Sequence, residues 1–390
     1  MILNTIEIGL LSILIICFII QLFFYLVVLA KPYYYMRNTR KEKLRPSALP
    51  PVSVIVCIKN TSEDLFRFLP NILEQEYPEF EVIIVTDGIS DTDEEALTRL
   101  KNHYPNLYST HVPEDTRNVS RKKLALTLGI KAAKYDNLLF TEPDSRIRTE
   151  KWISLMTCHF SEKKSIVLGF STIEKARSFL QKYMAYDYFY SNLQIISFAL
   201  LNRPYAGNRR NMAYKKKHFI EQKGFLKHQT LKQGEDDLFI GEIATGENTA
   251  VELSAHSVTF TKTNSFQDWK RQKIERMSIK RFYKNGPVYF WQMEAFLRIL
   301  FFISVITLIM FRIPFQSPMD YLLPGIALFC FFVRLLTQYF VINKTAGRLQ
   351  LRKFYLTVFW FDLFQPFINS YLFINLLLKV KENYIYRYEK

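Results

Sequence analysis

The sequence predicts an α/β domain set between helices that cross a membrane. Three observations carry that expectation: long apolar runs at both ends, a charged middle where strand-like and helix-like runs alternate, and carboxylates where the strand-like runs stop. The 390 residues hold 52 basic and 36 acidic side chains, a formal charge of +16, and are 49% hydrophobic. That apolar content excludes a disordered chain, and 12 glycines exclude a collagenous one. Four cysteines make no disulfide framework in a chain this long, and six scattered histidines show no HExxH pair, so no zinc site is expected.

Residues 8–30 carry no charge over 23 positions, enough to span a hydrocarbon core of ~30 Å. No basic residue precedes the run and no small-x-small cleavage site follows it, against a signal peptide. Lys31 to Arg45 then holds six basic residues and one acidic, which puts the N-terminus outside and the middle of the chain in the cytoplasm. Three further apolar runs, at about 289–311, 320–342 and 356–378, are read as spans. Pro314 and Pro318 lie between the first two; Lys344, Arg348, Arg352 and Lys353 mark a cytoplasmic loop between the last two. Strict alternation puts the C-terminus outside, against its basic tail of Lys379, Lys381, Arg387 and Lys390. A full fourth span is the expectation, with a break and re-entry at Pro366 the alternative. Glu294 and Arg298 are spaced as an i,i+4 pair, and Arg334 and Asp362 fall at a similar depth, so Arg334 and Asp362 are expected to face each other. The positive charge is largely juxtamembrane, which suits anionic membrane lipids; no soluble basic groove for nucleic acid is evident. The expected domains are 1–46, 47–285 and 286–390.

Within 47–285, strands are expected at Val52–Ile58, Glu81–Thr86, Tyr108–Val112 and Asn137–Thr141. Helices are expected at Asp64–Gln75, at Asp93–His103 with Asp91 or Thr92 as cap, and at Arg121–Lys134. Short links between them imply a parallel sheet with helices on both faces, and in such sheets ligands sit at the carboxyl ends of the strands. Asp87, Glu142 and Asp144 fall there. An acid-x-acid pair after one strand and a carboxylate after another can hold a hard divalent cation beside a diphosphate. Phe179–Phe198 reads as an aromatic helix, packed in the core or against the membrane surface with sugar stacking as the alternative, and the basic stretch 262–284 as an interfacial helix.

Six stretches in order carry a family resemblance: Val52–Asn60 with Glu63, Gln75–Gly88 with Asp91, Arg121–Leu126, Leu139–Asp144, Gly234–Leu238 and Gln267–Lys273. With them, residues 50–285 resemble a membrane-anchored family 2 glycosyltransferase of the GT-A fold, related to cellulose, chitin, hyaluronan and poly-N-acetylglucosamine synthases. The resemblance implies that Ser53, Lys59 or Asn60, Glu63, Asp87 and Lys122 lie beside the nucleotide. It implies that Glu142 and Asp144 occupy the Asp-x-Asp position holding Mg2+ or Mn2+ on the diphosphate of a nucleotide-sugar. Asp236 matches the general base; Glu235, Gln272 and Arg276 fall on the acceptor and pyrophosphate side.

Two departures stand out. Glu142 replaces the first aspartate of that motif, and Gln272-Lys-Ile-Glu-Arg276 has its arginine shifted by one and no tryptophan. The implied activity is inverting transfer of a sugar to a lipid-linked saccharide or glycan at the inner leaflet. The alternatives are a processive polysaccharide synthase and an inactive subunit that partners another glycosyltransferase. Sugar, base, linkage and protein partners are not specified by these residues.

Overall fold

A computed structural model describes residues 5–39, 49–59, 63–114, 120–174, 176–262, 265–283, 286–311 and 318–378. The chain divides into two compact units, one of Met1–Tyr35 with Gly286–Tyr371, the other of Met36–Asn285 with Leu372–Lys390. Helix α1 (Thr5–Phe23) passes through a π-helical turn, Phe24–Leu29, into α2 (Lys31–Thr39).

The α/β unit opens with β1 (Val52–Lys59), an apolar strand buried over nearly its whole length. Helix α3 (Glu63–Leu73) follows, burying Phe68, Leu69, Ile72 and Leu73 at helical spacing. Strand β2 (Phe80–Asp87) leads to α4 (Asp91–His103). The cap of α4 is Ser90, one residue before the expected Asp91, and it accepts the Asp93 N–H at 3.3 Å. Then come β3 (Leu107–His111), α5 (Arg121–Ala132) and β4 (Asn137–Thr141). Helix α5 packs so close to the sheet that a Cβ on Gly129 would meet Ile55 Cγ2 at 2.8 Å.

The next elements are β5 (Arg146–Ile147), α6 (Trp152–Thr157), β6 (Ile166–Leu168) and β7 (Ser171–Ile173). They are followed by α7 (Phe179–Leu200), β8 (Met212–Lys215), α8 (Lys216–Glu221) and α9 (Asp237–Ile243). Strands β9 (Thr249–Val251) and β10 (Thr259–Thr261) precede α10 (Phe266–Ile279). Helix α7 buries Tyr183, Tyr186, Phe189 and Tyr190, the core reading of that aromatic run.

The main sheet has the order β3-β2-β1-β4-β8-β6-β9. Its first four strands are parallel, as expected, with Lys59 beside Asp87 and Val56 beside Thr141. The purely parallel sheet fails at β8, which runs antiparallel to both β4 and β6. A second sheet of three strands, β5-β10-β7, lies beyond the end of β4.

In the other unit, α11 (Pro287–Met310), α12 (Leu322–Arg348) and, as far as Tyr371, α13 (Thr357–Leu378) join α1. Leu14 and Cys17 pack with Phe301, Val305, Leu308, Ala327 and Cys330, while Ile16, Ile19, Ile303, Ile306, Phe329 and Phe332 face outward. Such an apolar exterior needs an apolar surrounding. Among the described residues three helices are long and apolar enough to cross a membrane: Thr5–Thr39, Pro287–Met310 and Leu322–Arg348. The expected fourth span is helical and runs unbroken through Pro366, but Asp362, Gln365, Asn369 and Asn375 dilute it below the composition of the other three. The expected loop at Pro314 and the basic tail from Lys379 lie outside the described residues.

The polar residues of these helices turn inward. Asp362 receives Arg334 Nη1 at 2.7 Å and Arg298 Nη1 at 2.8 Å. Arg334 Nε donates to Gln21 Oε1 at 3.1 Å, Gln21 reaches Glu294 at 3.3 Å, and Glu294 lies 3.6 Å from Arg298. The expected Arg334–Asp362 pair therefore exists, inside a neutral lattice of two arginines and two carboxylates that ties α1, α11, α12 and α13. Replacing Asp362 by Asn leaves two buried guanidiniums sharing one carboxylate. The expected loss is about 3–5 kcal/mol, read as a lower yield of folded protein and a lower melting temperature in detergent. The exchange Arg334→Asp with Asp362→Arg should recover only part of that loss, because the new arginine meets Arg298. Full recovery would show that Arg298 does not share Asp362.

Candidate active site

The carboxyl ends of β1, β2 and β4 converge, and the sequence loads them with charge. Asp87, the last residue of β2, is buried and receives Arg121 Nε at 2.7 Å and Nη2 at 2.6 Å. Lys122, next along α5, pairs with the buried Glu235 and donates to Gln233 Oε1 at 3.3 Å. Glu235 reaches Arg209 Nη1 at 3.5 Å, and Arg209 Nη2 reaches Glu142 Oε1 at 2.5 Å. Arg210 Nη2 holds Glu142 Oε2 at 2.8 Å while Nη1 holds Asp144 Oδ1, and Thr261 donates to Asp144 Oδ2 at 2.8 Å. Three cations (Lys122, Arg209, Arg210) thus face three carboxylates (Glu142, Asp144, Glu235) in one connected lattice.

Arg209 and Arg210 carry this arrangement, and sequence reasoning missed them. In the β4–β8 register Phe140 pairs with Met212, so residues 142–144 run alongside 209–210. Their short loop is fixed from both sides. Asn208 Oδ1 accepts the Arg210 N–H at 3.1 Å, and its amide donates to Asn192 at 2.8 Å. Asn211 donates to the carbonyls of Phe170 and Ser257 at 2.9 and 2.8 Å and accepts Trp152 Nε1 at 3.0 Å. The available signal was a pair of adjacent arginines just ahead of the apolar run Met212–Tyr214.

Electrostatics follow from the packing. Burial works against the ionised Glu142 carboxyl, but Arg210 and then Arg209 outweigh it and hold that carboxyl well below the usual carboxylate range. Burial likewise opposes the charged forms of both arginines, and their carboxylate partners hold both guanidiniums charged. Lys123, pulled down to about 8 by burial, donates to the Leu231 carbonyl at 2.6 Å and anchors the segment leading to Gly234. Gly234 has φ of +103°, a conformation open to glycine, and turns the chain into Glu235 and Asp236.

Asp236 is half-exposed and caps α9, accepting the Asp237 N–H at 2.8 Å. Asp237 is buried. Burial first, then the Asp236 carboxylate, push its carboxyl up to about 7 against the pull of Arg276. Arg276 therefore does reach the Glu235–Asp237 segment, while Gln272, one turn earlier on α10, is exposed. Beside this segment lies a cavity of ≈ 600 Å³ lined by Lys232, Gln233, Lys270, Arg271, Glu275 and Arg281, with Leu231, Ile274 and Phe282 as apolar wall. Gln233 links it to the lattice, donating to Glu275 at 3.0 Å while accepting from Lys122.

Other expected residues fall elsewhere. Ser53 is the second residue of β1, at the amino end of the sheet and about 20 Å of strand from Lys59. It is fully buried, donates to Glu81 Oε1 at 2.5 Å and accepts the Tyr135 N–H at 3.1 Å, so it closes the far edge of the sheet. Asn60 lies outside the described residues, as does the side chain of Glu63, which begins α3. Among the described residues no three His, Cys, Asp or Glu side chains cluster to hold a metal ion.

The Asp237 carboxyl sets a pH dependence of stability. Its ordinary value is 3.8 and its folded value about 7. Between these the unfolded chain has released a proton that the folded chain keeps, so this group's contribution to stability falls as pH rises through that window. Asp237→Asn, which cannot titrate, should gain on the wild type by on the order of a few degrees in melting temperature from pH 4.5 to pH 8. A constant difference across that range would show that Asp237 is ionised throughout.

Residues 53–228 match the family model described as "Glycosyl transferase family 2". The chain is 25% identical over 162 residues to the poly-beta-1,6-N-acetyl-D-glucosamine synthase of Staphylococcus aureus (strain COL), covering 40% of this chain and 38% of that enzyme. The same-named enzyme of Staphylococcus epidermidis is 26% identical over 167 residues, covering 42% and 38%. The chain therefore spans well under half the length of these curated relatives. Its fold resembles that of the mannosyltransferase PcManGT of Pyrobaculum calidifontis, solved with GDP-Man and Mn2+, with a TM-score of 0.50, 17% identity, and coverage of 86% of this chain and 99% of that one. The family match thus marks residues 53–228 as a family 2 glycosyltransferase domain, and the mixed sheet with its structural likeness gives the α/β unit the GT-A fold.

Proposed function

We propose that the protein transfers a sugar from a nucleoside-diphospho-sugar to an acceptor hydroxyl, with inversion at the anomeric carbon. The observation that carries this reading is the charged lattice at the carboxyl ends of β2 and β4, with the half-exposed Asp236 beside it. Three cations there suit a diphosphate leaving group, whose charge grows as the glycosidic bond breaks. Asp236 is placed to take the acceptor's proton during attack from the opposite face.

Glu142 and Asp144 fit a divalent cation, since Mg2+ characteristically takes one or two carboxylates and completes its shell with phosphate oxygens and water. Both are hard oxygen donors with side chains 22% exposed, so a ligand can reach them. Bound there, Mg2+ or Mn2+ would neutralise charge on the departing diphosphate. Asp87, with Arg121, faces the nucleoside end in this reading, and Lys122 stands by the phosphates.

The cavity beside Gln233 supports an acceptor that is both anionic and apolar, as a lipid-linked saccharide is. Its basic lining includes Lys232, Lys270, Arg271 and Arg281. The basic segment 31–45 supports a cytoplasmic active site at the inner leaflet. The name of the curated relatives favours a second reading, processive chain extension.

Incubating the purified protein in native-like membranes with a panel of labelled nucleotide-sugars tests both. Label in an organic-extractable product of one added sugar supports lipid-linked transfer, and a ladder of long products supports extension. No transfer or donor hydrolysis with any sugar would remove the enzymatic reading. Asp236→Asn should fold and bind nucleotide yet transfer at least ~10²-fold more slowly. Asp144→Ala and reversible chelation by EDTA should each abolish transfer; full turnover in EDTA would exclude a metal role.

A further inference from the structure

We propose that Arg209 and Arg210 are an internal counterion for Glu142 and Asp144 that a metal–diphosphate displaces, so that metal and nucleotide bind strongly only together. The inference rests on the donor reading above and concerns residues to which that reading gives no separate task. All four oxygens of the acid pair already have partners: Oε1 of Glu142 has Arg209, Oε2 has Arg210, Oδ1 of Asp144 has Arg210 and Oδ2 has Thr261. A divalent cation arriving alone must break these bonds and then lie beside two guanidiniums, of which Arg209 alone keeps an anion, Glu235 at 3.5 Å. An uncompensated buried charge is the costly outcome.

A diphosphate removes that penalty. The guanidinium fork fits phosphate oxygens as well as carboxylate oxygens. If the arginines turn to the phosphates as the metal takes the carboxylates, every charge keeps a partner of opposite sign. The exchange asks only the two arginine side chains to turn, since Asn208 and Asn211 hold the backbone of the loop. Among the described residues, the buried Arg209 Nη1 has no hydrogen-bond acceptor and a 3.5 Å ion-pair contact to Glu235, which leaves it a donor for an incoming oxygen. Glu142 suits the same device: its longer side chain reaches both guanidiniums, one on each oxygen.

The consequence is a coupling with a sign. Mn2+ alone should bind the purified full chain weakly, and UDP or GDP should tighten it by about 5–150-fold, the usual range for coupled sites. Arg210→Gln should reverse the two affinities, holding Mn2+ alone about tenfold tighter than the wild type and UDP or GDP with Mn2+ about tenfold weaker. Mn2+ binding is read from the electron paramagnetic resonance of the free ion, and nucleotide and inorganic pyrophosphate binding by calorimetry, with circular dichroism confirming the fold. Arg210→Lys keeps the charge without the fork, and Arg209→Gln removes the neighbouring guanidinium; both should move in the same direction by less. These two provide the measurement if Arg210→Gln does not fold. Folded variants that bind Mn2+ alone no more tightly than the wild type overturn the proposal, whatever the nucleotide does. If the wild type binds none of UDP, GDP and pyrophosphate with Mn2+, the donor reading fails, while the Mn2+-alone comparison still decides the role of the arginines.

Discussion

The antiparallel pairing of β8 with β4 is the constraint on which the site depends. Four parallel strands bring Asp87 and the acid-x-acid turn to one edge, but that leaves carboxylates massed at the end of β4 without compensation. Reversing the next strand places its incoming loop, not its outgoing one, beside that edge. The loop then delivers two guanidiniums to Glu142 and Asp144, and through Arg209 to Glu235. One reversal of strand direction thus joins segments 67 residues apart into a neutral lattice. A purely parallel sheet with the same residues would expose the acids to one another and to water.

Much of the fold was legible because its signals are local. The strands and helices from Val52 to Thr141 follow from apolar runs, helical spacing and turn residues, and each lies within two residues of its expected bounds. Asp87, Glu142 and Asp144 were legible for the same reason, since a strand end can be read from the strand. The arginines were not, because antiparallel pairing of β8 is a relation between distant segments with no mark in either. Ser53 shows the converse error. A motif resemblance placed it by the nucleotide, whereas its position as second residue of an eight-residue strand already put it at the opposite edge. Helical phase separates the residues of α10: Glu275 accepts from Gln233 and Arg276 acts on Asp237, while Gln272, one turn earlier, is exposed.

The helical unit obeyed a different rule. Charges in apolar helices are so costly unpaired that depth alone identified Arg334 and Asp362 as partners. What depth could not supply was stoichiometry. Arg298 also claims Asp362, and Gln21 from α1 completes the ring between Arg334 and Glu294. Two of the four polar residues that keep α13 below the apolar content of the other spans, Asp362 and Gln365, are bonded into this lattice. Part of its composition and its place in the lattice therefore have one cause.

The chain thus builds two neutral ion lattices on similar principles, and their difference in exposure separates their uses. Arg334 and Asp362 have no exposed side-chain surface, and the Arg334 guanidinium also lies 5.1–5.6 Å from the ring centroids of Tyr25, Phe301 and Phe302. The helices pack over that lattice, so its loss is felt in folding. Glu142 and Asp144 are 22% exposed, at the open edge of a sheet, with Arg209 and Arg210 buried just behind them. On the donor reading proposed above, a lattice exposed on its acidic side and backed by buried arginines would oppose a cation that comes alone. On that reading, selectivity for a cation carrying its own anion would follow from the arrangement, before any contact to the sugar or base is considered.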